Sequence, residues 1–239
     1  ILKARIAHFL SINWYQTIRI NFKAFSLSDA LKLSIIVYRG FKIKAFTGSI
    51  KFNVPIGFGL IGFGQPYEIF TRTKNAGEAS IHGNLICNGN VQFGVDTKLY
   101  IHKNATLTLG NINSFASESQ VICFNEITIG DFMQCGSSCM FVDTNFHDLK
   151  NINTNSLYPK TGSIKIGNYV YIGTQSIIRS KAVIGNNTLV GSLSLCNKDY
   201  TDFGENVTLA GIPAAFIKSG DCRDWETEKN DLINYLKDE

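Results

Sequence analysis

The chain has 239 residues, 44% of them hydrophobic and 18% charged, with 21 glycines, four prolines and six cysteines. This excludes intrinsic disorder, collagen-like or proline-rich low complexity and a disulfide-built scaffold, and leaves one domain with appendages, or two small domains, with a large core. The net charge of +4 is uneven: residues 1–51 hold nine Lys or Arg against Asp29 alone, so they carry +8 and the other 188 residues carry −4.

That basic segment predicts a solvated appendage or contact with an anionic partner such as phospholipid headgroups or a sugar phosphate. Nucleic acid is not expected, because no binding motif accompanies the charge. No apolar run approaches the ~20 residues a membrane-crossing helix needs, and no secretory leader is expected. The expectation is a cytoplasmic protein, with peripheral contact at the inner membrane face through residues 1–51. Within this segment, Leu27 to Tyr38 reads as a short helix capped by Ser28 or Asp29. Lys42 to Phe52 alternates like a strand or a hairpin turning at Gly48.

Three parts are expected: a basic segment over 1–53, a repeat domain over 54–217 and a tail over 218–239. The repeat is clearest from Ile166. Every sixth residue is Ile166, Ile172, Ile178, Ile184, Val190 and Cys196. Glycine follows at 167, 173, 185 and 191, and small or β-branched residues stand four places after each anchor, at Val170, Ser176, Ala182, Thr188 and Ser194. A period of six fits neither a strand nor a helix. It fits short strands separated by turns, in a coil that closes after three hexads and stacks on its neighbours at about 4.8 Å. Upstream the frame holds at Ile129, Cys135 and Phe141, and loosens over Ile81, Cys87, Phe93 and Leu99. Residues 147–163 carry no anchors and read as a loop extruded from the prism, the kind of long loop that usually serves function. Asp224 to Leu236 reads as an amphipathic helix with Trp225, Leu232 and Leu236 on one side.

Three segments carry a family resemblance: Ile127-Thr128-Ile129-Gly130-Asp131, Asp143-Thr144-Asn145-Phe146-His147, and Ile164 to Gly173 continuing to Ala210-Gly211-Ile212-Pro213-Ala214. From about 101 to 218 the chain resembles the hexapeptide-repeat acyltransferases. The resemblance implies an all-β fold, a left-handed parallel β-helix, here with a small α+β N-terminal segment and a short C-terminal helix. The subgroup it most resembles is the sugar O-acetyltransferases of bacterial capsule, O-antigen and exopolysaccharide synthesis. The implied reaction moves an acetyl group from acetyl-CoA to a sugar hydroxyl, without a metal, in a homotrimer whose cofactor groove lies between prisms.

A sugar hydroxyl is a poor nucleophile, so a base must take its proton during attack, and histidine suits that task at neutral pH. His147 stands at the head of the expected loop, where the family has its Asp-x-x-x-His, and is the candidate base. His82 and His102 read as surface or turn residues. Asp143, Asn145 and Asp148 are candidates to orient the His147 ring. Relatives carry an Asn one coil earlier; this chain has Ser117-Glu118-Ser119, so Glu118 is the candidate substitute. The resemblance assigns Tyr171, Gly173, Thr174, Gly191, Ser192, Asn197, Lys198 and Lys218 to acetyl-CoA, the two lysines to its phosphates. Ser180-Lys181 replaces the family's Lys-Gly. The cysteines at 123, 135, 139 and 196 fall on inward positions and read as packing. The alternatives are N-acylation of an amino-sugar nucleotide and an inactive β-helix scaffold. A zinc carbonic anhydrase of similar shape needs two histidines close in sequence, and the spacings here are 20 and 45 residues.

Overall fold

The computed structural model describes residues 8–69 and 72–230. Residues 8–11 are helical, and helix α1 (Trp14–Ala24) follows, its N-terminus capped by the Asn13 side chain, which accepts from the Gln16 N–H. Its inward face carries Thr17, Ile20 and Asn21, all buried. The polar pair covers the free edge of β1 (Ile35–Val37). Thr17 Oγ1 accepts from Val37 N at 3.0 Å, and the Asn21 amide both accepts from Ile35 N and donates to Ile35 O, at 3.1 and 2.7 Å. An edge strand left open invites pairing with another chain, and here two side chains satisfy it. The helix expected over Leu27–Tyr38 is shorter. Helix α2 spans Leu27–Ala30, and the β-branched run Ile35-Ile36-Val37 is the strand.

From β1 the chain winds through seven coils. The first is β1, β2 (Phe41–Phe46) and β3 (Ser49–Phe52). The second is β4 (Ile61–Gln65), β5 (Gly77–Ile81) and β6 (Asn84–Cys87); the third β7 (Val91–Gly94), β8 (Lys98–Ile101) and β9 (Thr106–Leu109). The fourth is β10 (Asn113–Phe115), β11 (Gln120–Cys123) and β12 (Glu126–Ile129). The fifth is β13 (Gln134–Cys135), β14 (Met140–Val142) and, after the extruded segment, β17 (Ser163–Ile166). The sixth is β18 (Tyr171–Ile172), β19 (Ile177–Arg179) and β20 (Val183–Ile184), and β21 (Leu189–Val190) with β22 (Leu195–Cys196) begins the seventh. Corresponding strands pair in parallel, giving sheet one through β1, sheet two through β2 and sheet three through β3.

Two expectations change. Lys42 to Phe52 is not a hairpin, since β2 pairs with β5 in sheet two and β3 with β6 in sheet three. The prism therefore begins at residue 35, and the boundary drawn between 53 and 54 falls between its first and second coils. At the other end, β23 (Val207–Ala210) extends sheet one and β24 (Ala215–Ser219) folds back on it antiparallel. Residues 225–230 are helical, with Trp225 buried against Phe132 at 5.0 Å. Leu232 and Leu236 lie outside the described residues. No helix among the described residues is long and apolar enough to cross a membrane.

The glycines after the anchors serve close approach between coils. A Cβ on Gly173 would sit 2.4 Å from the Ser192 nitrogen of the next coil. The left-handed turn conformation falls instead on Tyr169, Gln175, Lys181, Asn187 and Leu193, again six apart. Inside the prism, Phe41, Phe63, Phe93 and Phe115 stack at 5.2, 5.1 and 4.9 Å, and Phe141 closes the column edge-on at 5.4 Å. Cys87, Cys123, Cys135, Cys139 and Cys196 are all free and buried among these side chains, and burial pushes the Cys196 thiol up to about 12. They are packing residues.

Candidate active site

The segment between β14 and β17 is an ordered hairpin. Strands β15 (Leu149–Lys150) and β16 (Leu157–Tyr158) pair antiparallel, and a Thr144–Thr161 bridge closes its base. His147 lies at its head, exposed, one residue after Phe146, whose φ of 62° turns the chain out of the prism.

The residues expected to orient the imidazole are engaged elsewhere. Asp143 is fully buried, and its carboxylate accepts from the Phe124 and Asn125 N–H groups at 2.7 and 2.8 Å. Burial raises its carboxyl above the usual range, against the pull of those backbone donors. Asp143 thus ties the hairpin's root to the preceding coil. Asn145 Oδ1 accepts from the Arg179 guanidinium at 2.6 Å. Asp148 faces Lys160 at 4.0 Å. Glu118 sits on another edge of the prism, between sheets one and two, where it pairs with Lys74 at 2.7 Å and accepts from Ser138 Oγ. The structure does not bring Glu118 to His147, which turns out on the edge between sheets two and three.

Beside the hairpin, the outer face of sheet two forms a cleft of about 580 Å³. Met140, Ile177 and Leu195 make an apolar floor, Leu149, Tyr158 and Pro159 of the hairpin overhang it, and Asn145, Arg179, Lys181 and Asn197 supply its polar wall. An apolar floor with a few convergent polar groups is the usual make-up of a small-molecule site. A groove of similar size, about 570 Å³, lies on sheet one between the N-terminal segment and Arg223 and Trp225. None of its lining residues comes from the 143–163 segment, whereas Asn145, Leu149, Tyr158 and Pro159 of that segment line the sheet-two cleft and His147 itself does not.

The residues expected at the cofactor divide between surfaces. Gly173, Thr174, Gly191 and Ser192 mark the edge between sheets one and two, and Asn197 and Lys198 the edge between sheets two and three. Tyr171 faces out from sheet one, 6.0 Å from the Arg223 guanidinium. Lys198 lies 5.5 Å from the Tyr200 ring, and Lys218, on β24, pairs with Asp221. Within one chain only Asn197 joins the cleft directly. Sequence reasoning passed over Arg179, which projects into it. The signal was present: glycine follows the anchors at 166, 172, 184 and 190, but arginine follows Ile178.

No family model matches the chain. Over 127 residues, 51% of its length, it is 28% identical to dTDP-4-amino-4,6-dideoxy-D-glucose acyltransferase of Escherichia coli, covering 58% of that protein. It is also 28% identical over 134 residues, 54% of its length, to galactoside O-acetyltransferase of Escherichia coli strain K12, covering 62% of that protein. The chain spans less than two thirds of the length of these curated relatives. It superposes on the polySia-specific acetyltransferase NeuO with a TM-score of 0.61 at 13% identity, over 86% of this chain and 88% of that one. This likeness is one of fold. The fold is a left-handed parallel β-helix, the architecture of that structure.

Proposed function

We propose that this protein transfers an acetyl group from acetyl-CoA to a sugar hydroxyl in bacterial surface-polysaccharide synthesis, with His147 as general base. The observation that carries this reading is an exposed imidazole at the root of a hairpin that overhangs an apolar-floored, cationic-walled cleft. The hydroxyl oxygen attacks the thioester carbonyl as His147 takes its proton. A backbone N–H of the adjoining coil holds the oxyanion. Collapse breaks the carbon–sulfur bond, and the imidazolium returns the proton to the leaving thiolate, giving the acetyl ester and CoA. N-acylation of an amino-sugar nucleotide is the second reading, supported by the likeness to the aminosugar acyltransferase. CoA release measured across a panel of hydroxyl and amino sugars separates the two, and release with no acceptor dependence defeats both.

A homotrimer reconciles the divided cofactor residues. Two prisms side by side set the Thr174 and Ser192 edge of one copy against the Asn197 and Lys198 edge of its neighbour, so that each groove needs both. Closed three-fold symmetry is the economical way to repeat that contact. On this reading Lys198→Ala and Lys218→Ala raise the KM for acetyl-CoA about tenfold or more and leave kcat nearly unchanged, because contacts remote from the thioester act on ground and transition states alike. An unchanged KM in both variants moves the cofactor elsewhere.

The protein is proposed to work in the cytoplasm against an anionic membrane surface. Helix α1 exposes Tyr15, Ile18 and Phe22 along one stripe, 72%, 48% and 46% accessible, beside Arg19 and Lys23. An apolar stripe flanked by cations is the make-up of a helix that lies in a headgroup layer. The protein is expected to co-sediment with phosphatidylglycerol vesicles and to detach as salt rises. Equal binding to phosphatidylcholine vesicles at all salt concentrations removes the electrostatic argument.

A further inference from the structure

We infer that the prism edge between sheets two and three, on the N-terminal side of His147, is the track for an extended saccharide acceptor, so that the substrate is a glycan chain gripped over several sugar units. This inference rests on the acyl-transfer reading of His147.

Strand register builds the track. Phe46 pairs with Ile81, Ile81 with Ile101 and Ile101 with Cys123. The next residue of each, Thr47, His82, His102 and Phe124, therefore stands in one row along the edge, at the inter-strand spacing of about 4.8 Å. The rings meet along this row. His82 lies 5.8 Å from Tyr100, Tyr100 5.5 Å from Phe124, and His102 stacks on Phe124 at 4.7 Å and 12°. Phe124 then meets Phe146 at 5.6 Å, edge to face. Phe146 is 45% exposed and immediately precedes His147. Outward aromatic side chains thus lead, coil by coil, to the candidate base. They are separate from the phenylalanine column inside the prism.

The polar atoms suit a sugar. His102 Nδ1 donates to the Lys103 carbonyl oxygen at 2.8 Å, which fixes the ring against the edge. His82 Nδ1 is bonded to Thr47 Oγ1 at 2.8 Å. Thr47, His82, Tyr100, His102 and Lys103 line a groove of about 460 Å³. A pyranose has an apolar C–H face and a rim of hydroxyls, and this row offers aromatic rings with hydroxyl, imidazole and ammonium groups beside them. With Lys103 as its one cation the groove fits a neutral or sparsely charged glycan. The cationic cleft with Arg179 and Lys181 lies on the C-terminal side of His147, so donor and acceptor reach the base from opposite directions.

The test reads binding before chemistry. The full chain is applied to an array of neutral oligosaccharides of one to eight units, without acetyl-CoA. Retention is expected to rise at least fivefold between one and four units. Phe124→Ala, Tyr100→Ala and Phe124→Leu, which keeps an apolar side chain without the ring, should each cut retention of the longer glycans about five- to tenfold, the scale of one lost aromatic contact. Mass in solution and KM for acetyl-CoA should match the parent. Retention independent of length, retention unmoved by all three substitutions, no saccharide retained, or dissociation of the oligomer in the variants would each overturn the track, the last by making the row a subunit contact. Because the array needs no turnover, absence of acceptor-dependent CoA release would sink the acyl-transfer reading, and a fully active His147→Ala variant the base assignment, while either result leaves length-dependent retention standing.

Discussion

Replacing His147 by alanine is expected to lower kcat by about 10²–10⁴, the usual contribution of a positioned proton acceptor. Nothing structural should accompany the loss. The ring is exposed, Asp143 is bonded to the backbone of residues 124 and 125, and Asn145 is bonded to Arg179, so the hairpin's root is held without the imidazole. Thermal stability, mass in solution and the KM for acetyl-CoA should therefore stay at parental values. Asparagine at 147 should restore little, since an amide does not accept a proton at neutral pH. A folded variant that binds acetyl-CoA and keeps more than about a tenth of parental turnover makes His147 a bystander.

How legible the fold was depends on coil length. Between residues 166 and 196 the coil repeat is eighteen residues: Ile166 pairs with Ile184, Ile172 with Val190 and Ile178 with Cys196. A strict hexad results, and the repeat can be read by eye. Upstream the coils lengthen. Ile101 pairs with Cys123 twenty-two residues on, and Phe46 with Ile81 thirty-five residues on. Their strands are longer and bury two residues each, as Leu107 and Leu109 do in β9. The hexad period dissolves there although the architecture is unchanged, which is why Lys42 to Phe52 reads as a hairpin instead of a first coil. Helix α1 escaped because its inward face carries Thr17 and Asn21, polar residues whose partners are backbone groups of a strand far along the chain. His147 was legible as a local motif. The partners of Asp143, Asn145 and Glu118 were not, because each is set by the neighbouring coil or by another edge. The aromatic row was invisible for the same reason: its members are 20 to 35 residues apart and meet only through register.

Phe93→Ala is expected to destabilise the fold by about 3–5 kcal/mol, the cost of emptying a buried aromatic position. Phe93 is 1% exposed and stacks on Phe63 at 5.1 Å on one side and on Phe115 at 4.9 Å on the other. Removing its ring breaks the interior column in the middle and leaves a void between coils whose backbones, joined by strand pairing, cannot close on it. The coils on either side bury much of their apolar surface on each other, so the loss is felt beyond one repeat. A fall in melting temperature of roughly 6–20 °C should follow for a chain of this length. Phe124→Ala offers the control, since it removes the same ring from the outer edge. If the two aromatic columns have the roles assigned to them, Phe93→Ala costs stability and leaves turnover per folded molecule intact, whereas Phe124→Ala costs glycan retention and little stability. Calorimetry on both variants, with activity normalised to the folded fraction, decides it. Equal losses of stability would make the outer row part of the packing, and a Phe93→Ala variant as stable as the parent would show that the coils relax into the void.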